Sequence, residues 1–256
     1  MRWLFLLAVF TAPVLAELPA PNAAGVSFGQ IQLRVRDANA QMKVWTDVLA
    51  PQLGKAGPMV LLKVPGINVI ISNSETDAGS DGSALNHITF AVKDYADIKT
   101  KLKKDKVPMK DSNRHLMATF PAGIRVEFIE DKNLPTPVAF HHLQLAVVDP
   151  EGERDWYVKH FGAVALPDQA NFAVSLPGGE IHFVKTATPQ APTRGRALDH
   201  FGLEVKGLEA FCKNLTSDGV TLNFEYHELP RFGFKAAFLT DPAGAYIELT
   251  EGLAGK

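Results

Sequence analysis

The stretch HLQLAVVD at residues 142–149 determines how the rest of this 256-residue sequence is interpreted. Polar and apolar residues alternate along it until it breaks at Asp149, which is typical of a half-buried strand that runs into a helix N-cap. The same phrase occurs as QIQLRVRD at 30–37, HITFAVKD at 87–94 and HFGLEVKG at 200–207. The phrases begin 57, 55 and 58 residues apart, so the chain contains four copies of one unit.

Each phrase is followed by an amphipathic helical stretch, a Pro- or Gly-containing turn and a closing strand. Helices are predicted at 38–53, 95–104, 151–161 and 208–217, and closing segments at 65–72, 121–129, 177–184 and 242–250. The first residue of each phrase pairs with a residue on the closing strand of the same unit. The two residues are 40 positions apart in three units and 48 apart in the fourth. These pairs are Gln30 with Ile70, His87 with Glu127, His142 with His182, and His200 with Glu248. We expect a loop or longer hairpin at 226–233 to contain the additional residues of the fourth unit.

Composition excludes several classes of function. A formal net charge of −2 gives no reason to expect binding to nucleic acid or to an anionic membrane surface. Residues 1–16 combine a positive start, an apolar core and a small-residue cleavage signal, which predicts a signal peptide and a periplasmic or secreted protein with no membrane attachment after cleavage. Cys212 is the only cysteine, so no internal disulfide can form, and we expect it to be buried in a helix.

The chain resembles the vicinal oxygen chelate superfamily, which includes glyoxalase I, the bleomycin-resistance proteins and the extradiol dioxygenases. The resemblance covers about residues 26–252 and is carried by the histidines that begin three of the phrases, by DWYVKHFGA at 155–163 and by DPAGAYIE at 241–248. It implies an α+β fold of four βαβββ modules, paired into two open barrels that each surround a metal or ligand cavity.

The prolines of the segment 131–137, together with the similar connectors within each half, favour sequential pairing of the modules. This predicts an N-terminal domain at 26–130 and a C-terminal domain at 138–252. Pairing of module 1 with 4 and of module 2 with 3 remains open; it would group the residues as Gln30/Ile70/His200/Glu248 and His87/Glu127/His142/His182.

Sequential pairing would bring four ligand-type side chains together on the concave face of the C-terminal domain: His142, His182, His200 and Glu248. Two imidazoles and a carboxylate suit a divalent metal such as Fe, Zn, Mn or Ni. The resemblance leaves His182 as either a fourth ligand or an acid/base residue, and Glu248 could also move a proton if it left the metal. The remaining module pair offers Gln30, His87 and Glu127 as a possible second site, with Ile70 in the fourth position.

Other residues define the expected surroundings of the site. Tyr246, His227 and Arg231 are candidate substrate contacts. His141 has the opposite strand parity from His142 and is expected to pack at the strand edge. Phe238 stands where the extradiol enzymes carry a tyrosine, which argues against ring cleavage of catechols.

The function predicted from these features is an exported metalloenzyme that chelates adjacent oxygens of a small-molecule substrate, as a lyase, an isomerase or a dioxygenase. The alternative is a metal-free protein that binds a small molecule, like the bleomycin-resistance proteins. Either would be a monomer or a homodimer.

Overall fold

The computed structural model describes residues 18–76, 78–167 and 172–256, so the predicted signal peptide at 1–16 lies outside the described residues. Four βαβββ modules follow one another. Module 1 consists of β1 (Val26–Val35), α1 (Ala38–Leu49), β2 (Gln52–Ala56), β3 (Met59–Val64) and β4 (Ile67–Asn73). Module 2 consists of β5 (Leu85–Val92), α2 (Tyr95–Lys104), β6 (Met109–Ser112), β7 (His115–Phe120) and β8 (Ile124–Glu130).

The second half repeats this order. Module 3 consists of β9 (Val138–Val147), α3 (Pro150–Phe161), β10 (Val164–Ala165), β11 (Phe172–Leu176) and β12 (Gly179–Lys185). Module 4 consists of β13 (Leu198–Val205), α4 (Leu208–Ser217), β14 (Leu222–Leu229), β15 (Phe234–Thr240) and β16 (Tyr246–Glu251). The extra residues of module 4 lengthen the β14–β15 hairpin, as the sequence predicted.

Local sequence signals position the helices. The side chains of Asp37, Asp94 and Asp149 cap α1, α2 and α3 by accepting a backbone N–H three residues later, at 2.9, 2.9 and 3.1 Å. Helix α1 ends at Leu49 rather than at 53, because Ala50 adopts a left-handed conformation (φ 48°) and Pro51 cannot continue a helix.

The modules pair across the two halves of the chain, so the prediction of sequential pairing is wrong. β1 pairs antiparallel with β13, which forms a first sheet in the order β14-β15-β16-β13-β1-β4-β3-β2. β5 pairs antiparallel with β9, which forms a second sheet in the order β10-β11-β12-β9-β5-β8-β7-β6. Each open barrel therefore contains one module from 26–130 and one from 138–252, and these ranges are not separate barrel domains.

Connection length explains this pairing. The segment 131–137 between β8 and β9 is the shortest connection between modules, and short connections keep successive strands adjacent. It extends the sheet rather than separating two domains, because Asp131 N donates to Val92 O and Lys93 N donates to Pro137 O, both at 2.9 Å. The longer segments 74–84 and 186–197 carry the chain from one sheet to the other.

The two sheets meet through equivalent residues of modules 1 and 3. The rings of Phe28 and Phe140 contact edge to face at 5.0 Å, while Phe28 N donates to Pro177 O and Phe140 N to Pro65 O. Gly66 has φ +92°, and a Cβ there would lie 2.9 Å from a carbonyl oxygen of the facing turn. The backbones can approach this closely only because the position is glycine.

One hydrophobic core runs through all four modules and under all four helices. Cys212 is buried in α4, as predicted. No helix of the described residues is long and apolar enough to span a membrane.

Candidate metal centre

Four adjacent strands at the middle of the second sheet, β12, β9, β5 and β8, each supply one ligand-type side chain. These residues are His182, His142, His87 and Glu127. The central strands align them, since Thr89 pairs with both His142 on β9 and Glu127 on β8. The structure thus assembles the set that corresponds to the pairing of module 2 with module 3.

Three of these residues, His87, Glu127 and His142, form what we call the inner triad. Each offers one ligand atom, and the three atoms lie within 4.8 Å of one another. His87 Nε2 lies 3.6 Å from Glu127 Oε2 and makes no hydrogen bond in the described part of the chain. Thr89 Oγ1 donates to Glu127 Oε2 at 3.0 Å and lies 3.1 Å from His142 Nε2. The two imidazoles and the carboxylate therefore converge on one point.

A β-bulge adds an imidazole that the sequence did not predict. β5 and β9 shift register between the pairs Thr89–His142 and Phe90–Phe140, which leaves His141 without a cross-strand partner. Its Nδ1 lies 2.8 Å from that of His142, and with His182 these residues form an outer triad of ligand atoms within 4.8 Å. The expectation that His141 packs at the strand edge is wrong, because parity arguments assume an unbroken ladder.

His182 is oriented by two contacts. Its ring stacks on that of His142 at 3.9 Å with an interplanar angle of 9°, and its Nε2 lies 2.6 Å from Glu180 Oε2. The hydrogen bond with His182 lowers the pKa of Glu180, so this carboxylate is ionised beside the imidazole.

The protonation states within the inner triad favour cation binding. Burial, followed by the neighbouring imidazoles, lowers the pKa of His142 to about 2, which keeps the ring neutral. Burial raises the pKa of Glu127, but the nearby His87 imidazole and the hydrogen bonds with His115 and the Thr89 hydroxyl outweigh it and bring the pKa to about 2. A neutral imidazole and an ionised carboxylate are the forms that bind metal ions.

Neighbouring side chains hold the triad in place. His87 Nδ1 contacts Asn86 Oδ1 at 2.9 Å, and His115 Nδ1 contacts Glu127 Oε1 at 2.9 Å. A cavity of about 480 Å³ opens onto these groups and is also lined by Ile129, His141, Gln144, Glu180 and His182. The strand parity that places His182 on the concave face also predicts Glu180 there. Sequence reasoning placed His115 at the surface instead, and its only signal is that it lies on a strand beside a triad strand.

The first sheet arranges its equivalent residues differently. His200 Nδ1 lies 2.6 Å from Asp199 Oδ1, its Nε2 lies 3.2 Å from Glu248 Oε2, and Gln30 Nε2 donates to the same oxygen. Burial lowers the pKa of His200, but hydrogen bonds to the two carboxylates outweigh it and raise the pKa to about 8. At pH 7 His200 is therefore mainly a cation held between two acids, with both ring nitrogens engaged by carboxylates.

An apolar residue, Ile70, occupies the fourth ligand position in that sheet. Ile70 is buried in a separate cluster with Leu61, Phe234 and Leu253. The predicted convergence of His142 and His182 with His200 and Glu248 is wrong, because the two pairs lie on different sheets. Within the described residues, the groups of metal-type side chains include neither His200 nor Glu248.

The predicted substrate contacts also lie in the first sheet. Tyr246 stacks on Phe238 at 5.1 Å, His227 stacks on Phe224 at 4.3 Å, and Arg231 occupies the turn after β14. None of Tyr246, His227 and Arg231 lines the cavity beside the inner triad, as far as the chain is described.

Comparisons with known proteins agree with this architecture. Residues 139–249 match the family model of the Glyoxalase/Bleomycin resistance protein/Dioxygenase superfamily. The resemblance to the vicinal oxygen chelate superfamily is confirmed. Glyoxalase I from Zea mays is 15% identical, superposes with a TM-score of 0.70, and the match covers 90% of this chain and 94% of that one. A protein from Bacillus subtilis proposed to be a dioxygenase is 15% identical, with a TM-score of 0.70 and coverage of 92% and 86%. A search of curated proteins gave no significant match.

The pairing changes which residues bear on ring cleavage. Phe238 lies opposite Glu248 in the first sheet. The corresponding neighbours in the second sheet are Met117, opposite Glu127, and Ala173, opposite His182. Neither of these two positions carries the tyrosine of the extradiol pattern, so Met117 and Ala173, rather than Phe238, argue against ring cleavage at this site.

Proposed function

We propose that this protein is a metal-dependent enzyme of the vicinal oxygen chelate type, with the inner triad His87, Glu127 and His142 as its metal ligands. The observation that carries the proposal is the convergence of two imidazoles and one carboxylate from three adjacent strands. This set leaves coordination positions open for substrate oxygens and is compatible with Fe, Zn, Mn or Ni. His182 is the fourth donor or a proton-transfer group on the open side.

Three features of the residues fit a bound cation. His87 Nε2 is buried and has no hydrogen-bond partner among the described residues, which is costly unless a ligand satisfies it. Asn86 fixes the other ring nitrogen of His87, as partners of metal-ligating histidines usually do. Thr89 and His115 each contact one oxygen of Glu127 and so fix its orientation.

A divalent ion in this position would act as a Lewis acid on two adjacent oxygens of a small molecule. The protein's own groups then act on protons at the open side. Glu180 engages His182 Nε2 and so orients the ring, which leaves Nδ1 to accept or donate a proton, and His141 adds a second imidazole next to it. We favour proton-transfer chemistry of the lyase or isomerase kind because the open side carries these groups.

Dioxygenation is the second candidate, since two histidines and one carboxylate are also the ligand set of Fe(II) oxygenases. Oxygen uptake with catechols under air, measured against the same reaction under argon, separates the two candidates. Uptake that accompanies product formation would favour dioxygenation.

We also propose that the protein functions after export, with its signal peptide at 1–16 removed. The support is the sequence pattern of those residues alone. N-terminal sequencing of the protein recovered from the periplasm should begin at Glu17, and a cellular protein that retains Met1 would contradict export.

Metal content of the purified protein tests the main proposal. We expect about one tightly bound ion per chain, lost in His87→Ala and retained in His200→Ala. His200→Ala is the matched control, because it also removes a buried histidine beside a glutamate, but in the first sheet. Circular dichroism verifies that both variants fold. Metal that follows His200 rather than His87 would contradict the proposed ligands and place the centre in the first sheet. No metal after loading would support the metal-free binding alternative.

A further inference from the structure

A second cavity, of about 520 Å³, adjoins the inner triad along the concave face of module 2. Its lining includes Pro108, Met109, Lys110, Met117, Thr119 and Arg125. We call it the Met117 groove. Met117 pairs directly with Glu127 on β8, so the groove begins at the neighbour of a triad residue.

Strand register fixes where the basic groups of the groove lie. Lys110, Met117 and Glu127 pair in one row across β6, β7 and β8, which places Lys110 about 10 Å from the triad carboxylate in the direction across the strands. Arg125 lies two residues before Glu127 on β8, on the same face and about 7 Å away. The apolar side chain of Met117 lies between the metal ligand and Lys110.

The two basic side chains are available to a ligand. Arg125 Nη1 contacts Asp81 Oδ1 at 3.0 Å and Asn86 Oδ1 at 2.8 Å, while its Nε and Nη2 make no hydrogen bond among the described residues. Lys110 has no carboxylate within 4.0 Å in the same part of the chain. Asp81, the acid in the lining, is 84% exposed and is already paired with Arg125. Lys110 is therefore the unpaired positive charge of the groove, and Arg125 adds N–H donors that its contacts with Asp81 and Asn86 leave unused.

The wall that carries Arg125 is held rigidly. Arg125 N donates to Ser80 Oγ at 2.9 Å, and Ser80 N donates to Gly123 O at 3.0 Å. A Cβ on Gly79 would lie 2.5 Å from the Gly123 carbonyl oxygen, so glycine is required for this contact. Arg196, from the connector before β13, donates to the carbonyl of Gly79 through Nε and Nη2 at 3.0 and 2.8 Å. Such fixed positions lower the cost of ordering a binding site.

From this arrangement we infer the substrate class: a compound with two adjacent oxygens at one end, a short apolar arm, and an anionic group at the other end. The head would bind at the inner triad, the arm along Met117, and the anion between Arg125 and Lys110. This inference rests on the proposed function, because the inner triad must bind the head. A guanidinium with two free donors and a nearby ammonium suit a carboxylate or a phosphate.

Two matched probes test the inference on zinc-loaded protein: 3-(3,4-dihydroxyphenyl)propionate and its methyl ester. Both carry the same chelating head, and only the acid has a charged end. By isothermal titration calorimetry we expect the acid to bind roughly ten-fold more tightly than the ester. Arg125→Gln should remove most of this preference and Lys110→Gln a smaller part, with ester affinity unchanged in Lys110→Gln. Because Arg125 also donates to Asn86, the ester affinity of Arg125→Gln measures any disturbance of the metal centre separately from the loss of preference for the acid. Lys104→Gln, an exposed lysine on α2, is the control and should change neither affinity.

The outcomes separate this inference from the proposed function. Equal binding of acid and ester that is lost in His87→Ala would overturn the substrate class and leave the metal centre intact. A preference for the acid that persists in the Arg125→Gln/Lys110→Gln double variant would overturn it too, because the anion would then bind elsewhere. If neither probe binds, the substrate class is wrong; if binding survives His87→Ala, the metal centre is wrong.

Discussion

Glu153 provides a test of the electrostatics of the fold that is independent of the metal centre. It lies on the buried face of α3, is 5% exposed, and its Oε2 has no hydrogen-bond partner within the described residues. Burial, followed by the negative charges of Asp241 and Asp149, raises its pKa from 4.5 to about 9. The folded protein therefore keeps a proton that the unfolded chain releases.

The direction of the pH effect follows from this difference. The stability contributed by the protonated form is complete below pH 4.5 and is lost as the pH rises towards 9. Each pH unit in this interval costs at most about 1.4 kcal/mol, so the limit between pH 5 and 7 is about 2.7 kcal/mol. Water penetration and relaxation reduce such penalties, and we expect about 1 to 2 kcal/mol. Glu153→Gln removes this titration. The free energy of unfolding of the variant, measured relative to the wild type, should therefore be about 1 to 2 kcal/mol higher at pH 7 than at pH 5.

Urea unfolding at pH 5 and pH 7, followed by tryptophan fluorescence, measures the difference. Glu151→Gln is the control, because it changes an exposed glutamate on the same helix and should shift the free energy of unfolding by less than about 0.5 kcal/mol at either pH. The same free-energy change for Glu153→Gln at both pH values would show that Glu153 is not protonated in the folded protein, and so would a loss of stability that is larger at pH 7.

Two further predictions concern buried polar contacts. Tyr157 Oη donates to Asp241 Oδ2 at 2.7 Å and joins α3 to the β15–β16 turn, so Tyr157→Phe should lower the free energy of unfolding by about 1 to 2 kcal/mol in urea titrations. An unchanged midpoint would contradict that role. His200 has a folded pKa of about 8 against 6.5, so its stabilisation is complete below pH 6.5 and is lost as the pH rises through 8. His200→Gln should therefore cost about 2 kcal/mol more at pH 6 than at pH 9, and an equal cost would show that the ring is neutral in the folded state.

Local patterns in the sequence predicted the modules well. The repeat of the 142–149 phrase, the helix caps and the closing strands all depend on interactions between residues near each other in the chain, and such signals are visible in one sequence. The position of His182 relative to His142 within one module followed from the same repeat. The hairpin that contains 226–233 was found from the spacing of His200 and Glu248 alone.

Module pairing and the bulge at His141 could not be predicted in the same way. The edges of all four modules have similar strand patterns, so strand chemistry does not distinguish module 2 from module 4 as the partner of module 3. Pro135 and Pro137 favour a domain break, whereas the segment extends the sheet through backbone hydrogen bonds. A bulge depends on the register between two distant strands, and the parity of one strand does not reveal it.

Anomalous diffraction would show which residues bind the metal. Crystals of the full-length chain loaded with zinc should show one strong peak within bonding distance, about 2.0 to 2.2 Å, of His87, Glu127 and His142. A peak bound by His200 and Glu248, or no peak at either sheet after loading, would contradict the assignment of the metal centre to modules 2 and 3.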